Sequence, residues 1–128
     1  MRYLLDTHTA IWTLQDAPEL GPGVRAVIAR ETRDSLAISD ITLFEVAMLA
    51  AKGRVEFDDG LLPALHLIGE LFPVVPIDAT IAASAVNLPL PQSDPFDRII
   101  VATAKRHELT LLTRDREISA SGLIEIVW

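Results

Sequence analysis

The chain has 128 residues, of which 50% are hydrophobic and 23% charged, a composition that predicts one globular domain over residues 1–128 and excludes intrinsic disorder. It contains no cysteine, which excludes disulfide frameworks and thiolate metal sites. Its net charge of −7 has the wrong sign for a simple nucleic-acid binder, unless bound cations reverse the field of its carboxylates.

Tyr3-Leu4-Leu5 is short, apolar and closed by Asp6, the pattern of a buried strand. An acid so soon after Met1 does not suit a signal peptide, and no apolar run reaches transmembrane length. A cytoplasmic protein is therefore expected. Residues 7–14 predict a first helix, Pro18 and Gly21-Pro22-Gly23 break the chain, and residues 24–30 resume helical spacing. Residues 35–39 read as a second strand. Asp40 is expected to cap a helix over 41–52, ended by Gly53. A helix over 60–72 must hold Pro63 in its opening turn, and Pro76 puts the strand at 74–77 near a sheet edge or strand end. Asp78 caps a helix over 79–88. Asp94 and Pro95 suit the cap and first position of another, continued by Ile99 to Ala104. Residues 110–113 and 123–127 give the last strands. Short apolar strands alternating with helices predict an α/β fold, its parallel sheet covered on both faces. Ligands in such folds bind beyond the carboxyl ends of the strands, where Asp6 and Asp115 fall.

Five carboxylates stand out. Glu45 lies in a helix that is apolar nearly all round, with Ile41, Met48 and Leu49 as its helical neighbours. A charge there needs a partner or a metal; the plain alternative is an ion pair with Arg98 or Arg114. Asp6 can simply cap the helix at Thr7, and Asp115 can be a turn residue with an Asx hydrogen bond. Asp94 and Asp97 resemble a cap and its companion three residues on. Each structural reading suffices singly, but their shared sheet edge suggests that they converge. Converged hard oxygen ligands, without Cys or a His pair, favour Mg²⁺ or Mn²⁺ over Zn²⁺. The reaction that suits them is phosphodiester hydrolysis. Thr7, Thr9, Ser39 and Thr113 can orient a carboxylate or cap a helix. Arg98 and Arg114 can hold phosphate or make structural salt bridges. His8, His66 and His107 have no metal-ligand spacing, and Trp12 and Trp128 read as core or interface.

Leu4-Leu5-Asp6-Thr7-His8, Leu43-Phe44-Glu45-Val46-Ala47, Asp94-Pro95-Phe96-Asp97-Arg98 and Leu111-Leu112-Thr113-Arg114-Asp115 occur in the order found in PIN-domain proteins. More narrowly, the chain resembles the VapC-type toxins of bacterial type II toxin–antitoxin modules. The resemblance implies a three-layer α/β/α sandwich around a mainly parallel sheet of about five strands. It also implies a Mg²⁺- or Mn²⁺-dependent endoribonuclease that is a homodimer, neutralised by a small antitoxin. By position, Asp6, Glu45 and Asp97 match the principal acidic ligands of the family and Asp115 the fourth; the residues themselves suggest Thr7, Thr113, Asp94 and Arg98 in support. Asp94 fits a cap better than a ligand. Gln92 departs from the family, which often has His there. Two rival readings stand beside this one. A receiver-like signalling module would need a late Lys, and none follows Lys105. A PIN-type nuclease acting on DNA would keep the fold.

Overall fold

The computed structural model describes residues 1–91 and 94–128; the departure at Gln92 lies outside them. In chain order the elements are β1 (Tyr3–Leu5), α1 (Thr7–Gln15), α2 (Pro22–Arg30), a 3₁₀ turn (Arg33–Ser35), β2 (Leu36–Ser39), α3 (Asp40–Ala51) and α4 (Leu61–Leu71). There follow β3 (Val74–Val75), α5 (Ala79–Val86), α6 (Pro95–Arg106), β4 (Thr110–Leu112), α7 (Arg116–Ser121) and β5 (Ile126–Val127). The five strands form one parallel sheet in the order β3-β2-β1-β4-β5.

Both sheet faces are covered because side chains alternate along each strand. Leu5, Ile38 and Leu112 point into a core built with Ala10, Ile11, Val24, Val27, Ile68 and Phe72. Leu4, Ala37 and Leu111 point the other way, onto Ile81, Ala85, Ile100, Val101 and Ala104. Leu4, Leu5, Leu111 and Leu112 are fully buried, which is why these strands are uninterrupted apolar runs. The result is the three-layer α/β/α sandwich expected, with β3 at the edge that Pro76 indicated.

The order reverses at β1: the chain builds outward through β2 and β3, then returns to place β4 on the other flank of β1. Such a switch point leaves a crevice between the carboxyl ends of the two central strands, here β1 and β4. Asp6 follows the first of these directly, and Thr113 follows the second.

Two expectations need correction. Ser39, not Asp40, caps α3, its hydroxyl accepting from the Ile41 N–H at 3.2 Å. Asp40 enters the first helical turn instead, and its Oδ2 accepts from the Ile77 N–H at 3.1 Å, tying α3 to the residues after β3. The stretch after Asp115 is not a plain turn. It is the short helix α7, whose Ile118 is buried in the second core; a single buried residue in six gives no periodicity to read.

Near α2 the packing depends on two glycines. The Gly23 N–H donates to the Trp128 carbonyl at 3.1 Å. A Cβ at Gly23 would lie 2.5 Å from that oxygen, and one at Gly21 would lie 2.6 Å from the Trp128 carbonyl carbon. Neither obstacle is a flexible side-chain end, so Gly23→Ala is expected to cost about 1–3 kcal/mol, the usual range for overpacking. A thermal melt against wild type measures it; an unchanged midpoint would show that the contact is not tight in solution.

Candidate active site

Asp6, Glu45, Asp94, Asp97 and Asp115 come together in one cleft of about 270 Å³, which His8, Trp12 and Arg114 complete. It lies at the β1–β4 switch point. The carboxylates arrive from four separate parts of the chain, and each is fixed by a local device. Asp6 caps α1, one carboxylate oxygen accepting from the Thr9 N–H at 2.9 Å. Its other oxygen accepts from the Thr113 hydroxyl. Thr113 is fully buried, and its hydroxyl also accepts from the Asp115 N–H at 3.1 Å. One threonine thus spans the switch point and couples the acids that follow the two central strands.

Asp115 caps α7, accepting from the N–H groups of Glu117 (2.9 Å) and Ile118 (3.0 Å). Asp94 does the same for α6, accepting from the Phe96 N–H at 2.9 Å. Capping roles and cleft placement therefore coexist in these residues. The last turn before a helix is where a carboxylate is both stabilised by orphan N–H groups and turned towards the strand ends.

Glu45 makes no ion pair with Arg98 or Arg114. Its partner is Thr7, whose hydroxyl donates to it at 2.5 Å and lies 3.3 Å from the buried Thr42 hydroxyl. Burial raises the Glu45 pKa; the Thr7 hydrogen bond opposes this, Asp94 and Asp6 add to it, and His8 lowers it.

Asp97, in the first turn of α6, is the most perturbed of the set. Burial pushes its pKa up to about 7, and the like charges of Asp94, Asp115, Glu45 and Asp6 push in the same direction. Asp97 therefore senses every other carboxylate of the cleft. Among the described residues no three carboxylates or histidines are gathered tightly enough to enclose an ion. They share a cleft without forming a closed coordination shell.

Arg98, which the sequence allowed as a phosphate holder, donates to the carbonyls of Ala85 (3.2 Å), Leu88 (2.9 Å) and Leu90 (3.0 Å). Those bonds fasten the end of α5 and the following loop to α6. Arg114 does face the cleft, and its guanidinium lies 4.7 Å from the centre of the Trp12 ring. Trp12 is thus more than a core residue. It packs at 5.8 Å against Trp128 and at 5.6 Å against His8. His8, set aside from the sequence for want of a second histidine, lines the cleft as well. The available signal was the i, i+4 spacing of His8 and Trp12 directly after Asp6. A larger cavity of about 530 Å³ opens beside Leu14, Phe57, Pro63 and Leu67, away from the strand ends. The site is located by its carboxylates, not by size.

This fold, with acids gathered at the carboxyl ends of β1 and β4, corresponds to a match of residues 3–122 to the PIN domain. The chain belongs to the PIN-domain family. Within it the chain is of the VapC type, being 37% identical over 116 residues to Ribonuclease VapC22 of Mycobacterium tuberculosis, across 90% of this chain and 88% of that protein. Among solved structures, DNA-bound VapBC from Salmonella typhimurium superposes with a TM-score of 0.75 at 22% identity, covering 98% of this chain and 96% of that one. A toxin–antitoxin complex from Klebsiella pneumoniae gives a TM-score of 0.68 at 26% identity, covering 95% and 94%. Family membership removes the receiver-like alternative.

Proposed function

We propose that the chain is a metal-dependent endoribonuclease and the toxin of a toxin–antitoxin module, with Asp6, Glu45, Asp97 and Asp115 holding Mg²⁺ or Mn²⁺. The observation that carries this reading is the crowding of carboxylates around Asp97. Burial first, and then the like charges of the four other acids in the cleft, raise its pKa to about 7, and a divalent cation is the ligand that relieves the repulsive part. The donor set fits the metal: every candidate ligand is a hard oxygen, and an open arrangement suits an ion that keeps waters and takes substrate phosphate as a ligand. The relative's name, Ribonuclease VapC22, supports RNA as the substrate, and the names of the solved relatives support an antitoxin partner.

When bound, the cation supplies the charge that activates water and stabilises the leaving oxygen. The protein's part is placement. Thr7 holds Glu45, and Thr113 holds Asp6 and the Asp115 backbone, so the ligand oxygens are oriented before the metal arrives. Asp97 gives up its proton as the cation binds, so affinity should rise with pH up to about 7 and level off above it. Asp94 caps α6 and adds negative charge without being a principal ligand.

The domain is proposed to be the single unit 1–128. A homodimer and a cytoplasmic location belong to the same reading. Exposed Leu62, Leu67 and Val86 offer apolar surface for contacts, and none of the described helices is long and apolar enough to cross a membrane.

Purified protein incubated with total RNA, with and without Mg²⁺ or Mn²⁺, tests the assignment. Cleavage that needs the metal is expected, with single-stranded DNA left intact; cleavage unaffected by a chelator would overturn the metal role. Thr113→Val provides a finer check. It removes a hydroxyl that orients two acids, so metal affinity should fall about 10- to 100-fold, read by calorimetry. Unaltered affinity in a folded variant would mean that Thr113 is only structural.

A further inference from the structure

The acidic cleft is not closed on the side of α1. A second cavity of about 450 Å³ opens between α1 and the end of α3 with the loop that follows, and it shares His8, Trp12, Glu45 and Asp94 with the cleft. Its volume lies within the range of roughly 300–1,000 Å³ typical of small-molecule sites. Ile11, Leu49 and Val55 make part of the wall apolar.

Two rings border it. His8 is exposed, and its ring lies 5.6 Å from that of Trp12 at an interplanar angle of 50°. Trp12 is held in turn by Trp128 and by the Arg114 guanidinium, so the surface it offers is fixed in advance. The wall's charge is also informative: Glu45, Glu56 and Asp94 stand against Arg54. Such a wall repels a second phosphate and accepts a flat, neutral group with hydrogen-bonding edges.

We propose that this cavity is a nucleobase subsite, taking the base of the nucleotide next to the scissile phosphate and stacking it on His8 and Trp12. The proposal rests on the ribonuclease reading above. A phosphodiester held among the carboxylates must carry its neighbouring bases alongside it, and the shared wall puts this cavity directly beside the cleft. Stacking of splayed bases on aromatic side chains is the common mode of single-stranded RNA recognition. Arg114 borders the cleft but not this cavity, which leaves it to face the phosphate chain.

Because His8 is exposed, replacing it spares the core. His8→Ala and His8→Phe both remove the imidazole nitrogens, and only His8→Phe keeps a ring. On a short single-stranded RNA, His8→Ala is expected to raise KM about tenfold with little change in kcat, in keeping with the loss of one base–aromatic stack. His8→Phe restores most of that loss. A substrate abasic at one position flanking the cut costs wild type at least that factor and costs His8→Ala clearly less, since only the Trp12 contact is left to lose. Equal KM values for the two variants, or no flanking position where the base matters, would overturn the subsite and leave the nuclease standing. RNA binding in EDTA, read by tryptophan fluorescence, separates the two ideas. Ring-dependent binding without any metal-dependent cleavage removes the nuclease and keeps the subsite. Quenching by an arginine-rich peptide, with none by RNA, gives the cavity to a protein partner and overturns the proposal.

Discussion

Replacing Asp97 by asparagine is expected to reduce RNA cleavage more than about 100-fold, the upper end of what loss of a carboxylate behind the metal ligands costs. The same change should make the metal-free protein more heat-stable at neutral pH. Both effects come from one source. The Asp97 carboxyl is half-buried among like charges and titrates at about 7, against about 4 in an unfolded chain. Below about pH 4 both states hold the proton. Between about pH 4 and 7 the unfolded chain releases it and the folded one does not, so stability falls as pH rises through that window and levels off above it. Asparagine removes the penalty. After allowance for the exposed part of the side chain, the gain should be about 1–2 kcal/mol, or a few degrees in Tm. Melts of both proteins in EDTA at about pH 4 and pH 8 check the sign: the difference should appear only at the higher pH. Adding Mg²⁺ or Mn²⁺ should stabilise wild type and leave the variant nearly unmoved. A folded Asp97→Asn protein that cleaves RNA as wild type does would remove Asp97 from the ligand set, and Asp94→Asn would be the next variant to examine.

The neighbouring residue should respond in the opposite direction. Arg98→Ala is expected to destabilise the protein by about 3–4 kcal/mol, since charge-assisted hydrogen bonds contribute about 1.5–3 kcal/mol each and are not additive. Its guanidinium gathers the carbonyls of Ala85, Leu88 and Leu90, which water would have to reach once the side chain is gone. Arg98→Lys should recover less than half, because one ammonium cannot span three carbonyls that a planar fork can. Denaturant titration measures both variants, and metal affinity should weaken with them as the start of α6 shifts. If Arg98→Lys equals wild type, the residue acts through its charge alone.

Much of the fold could be read from residue types. Tyr3-Leu4-Leu5 and Thr110-Leu111-Leu112 are apolar runs too short for helices and bounded by polar residues, so their strand character needs no tertiary information. Asp78 and Asp94 announce the helices after them through capping chemistry that acts over three residues. Where the sequence misled, the deciding contact was remote or single. Asp40 looks like a cap, but Ser39, at the buried end of β2, is already in extended geometry with its hydroxyl next to the Ile41 N–H. That freed Asp40 to reach the backbone of Ile77, 37 residues away. Helix α7 depends on Ile118 meeting the second core, and six residues carry too little pattern to show it.

The acids themselves were visible because each interrupts an apolar segment or opens a helix, and local composition is enough to register that. Their convergence could be expected from a shared sheet edge, but the groups that hold each of them could not. The partner of Glu45 is Thr7 rather than an arginine, because α1 and α3 pack side by side at the ends of neighbouring strands. Thr113 reaches Asp6 across 107 residues because strand order places β4 against β1. Arg98 and Arg114 carry the same charge and each adjoins a proposed ligand in the sequence, yet one bonds backbone carbonyls and the other lies over Trp12 at the cleft. The sequence by itself determined which groups were present and, for Asp6 and Asp94, which helix each would begin. Only the parallel order of the strands, reversing at β1, decided that they would share one cleft, because through-space repulsion and desolvation act between groups that chain distance keeps apart.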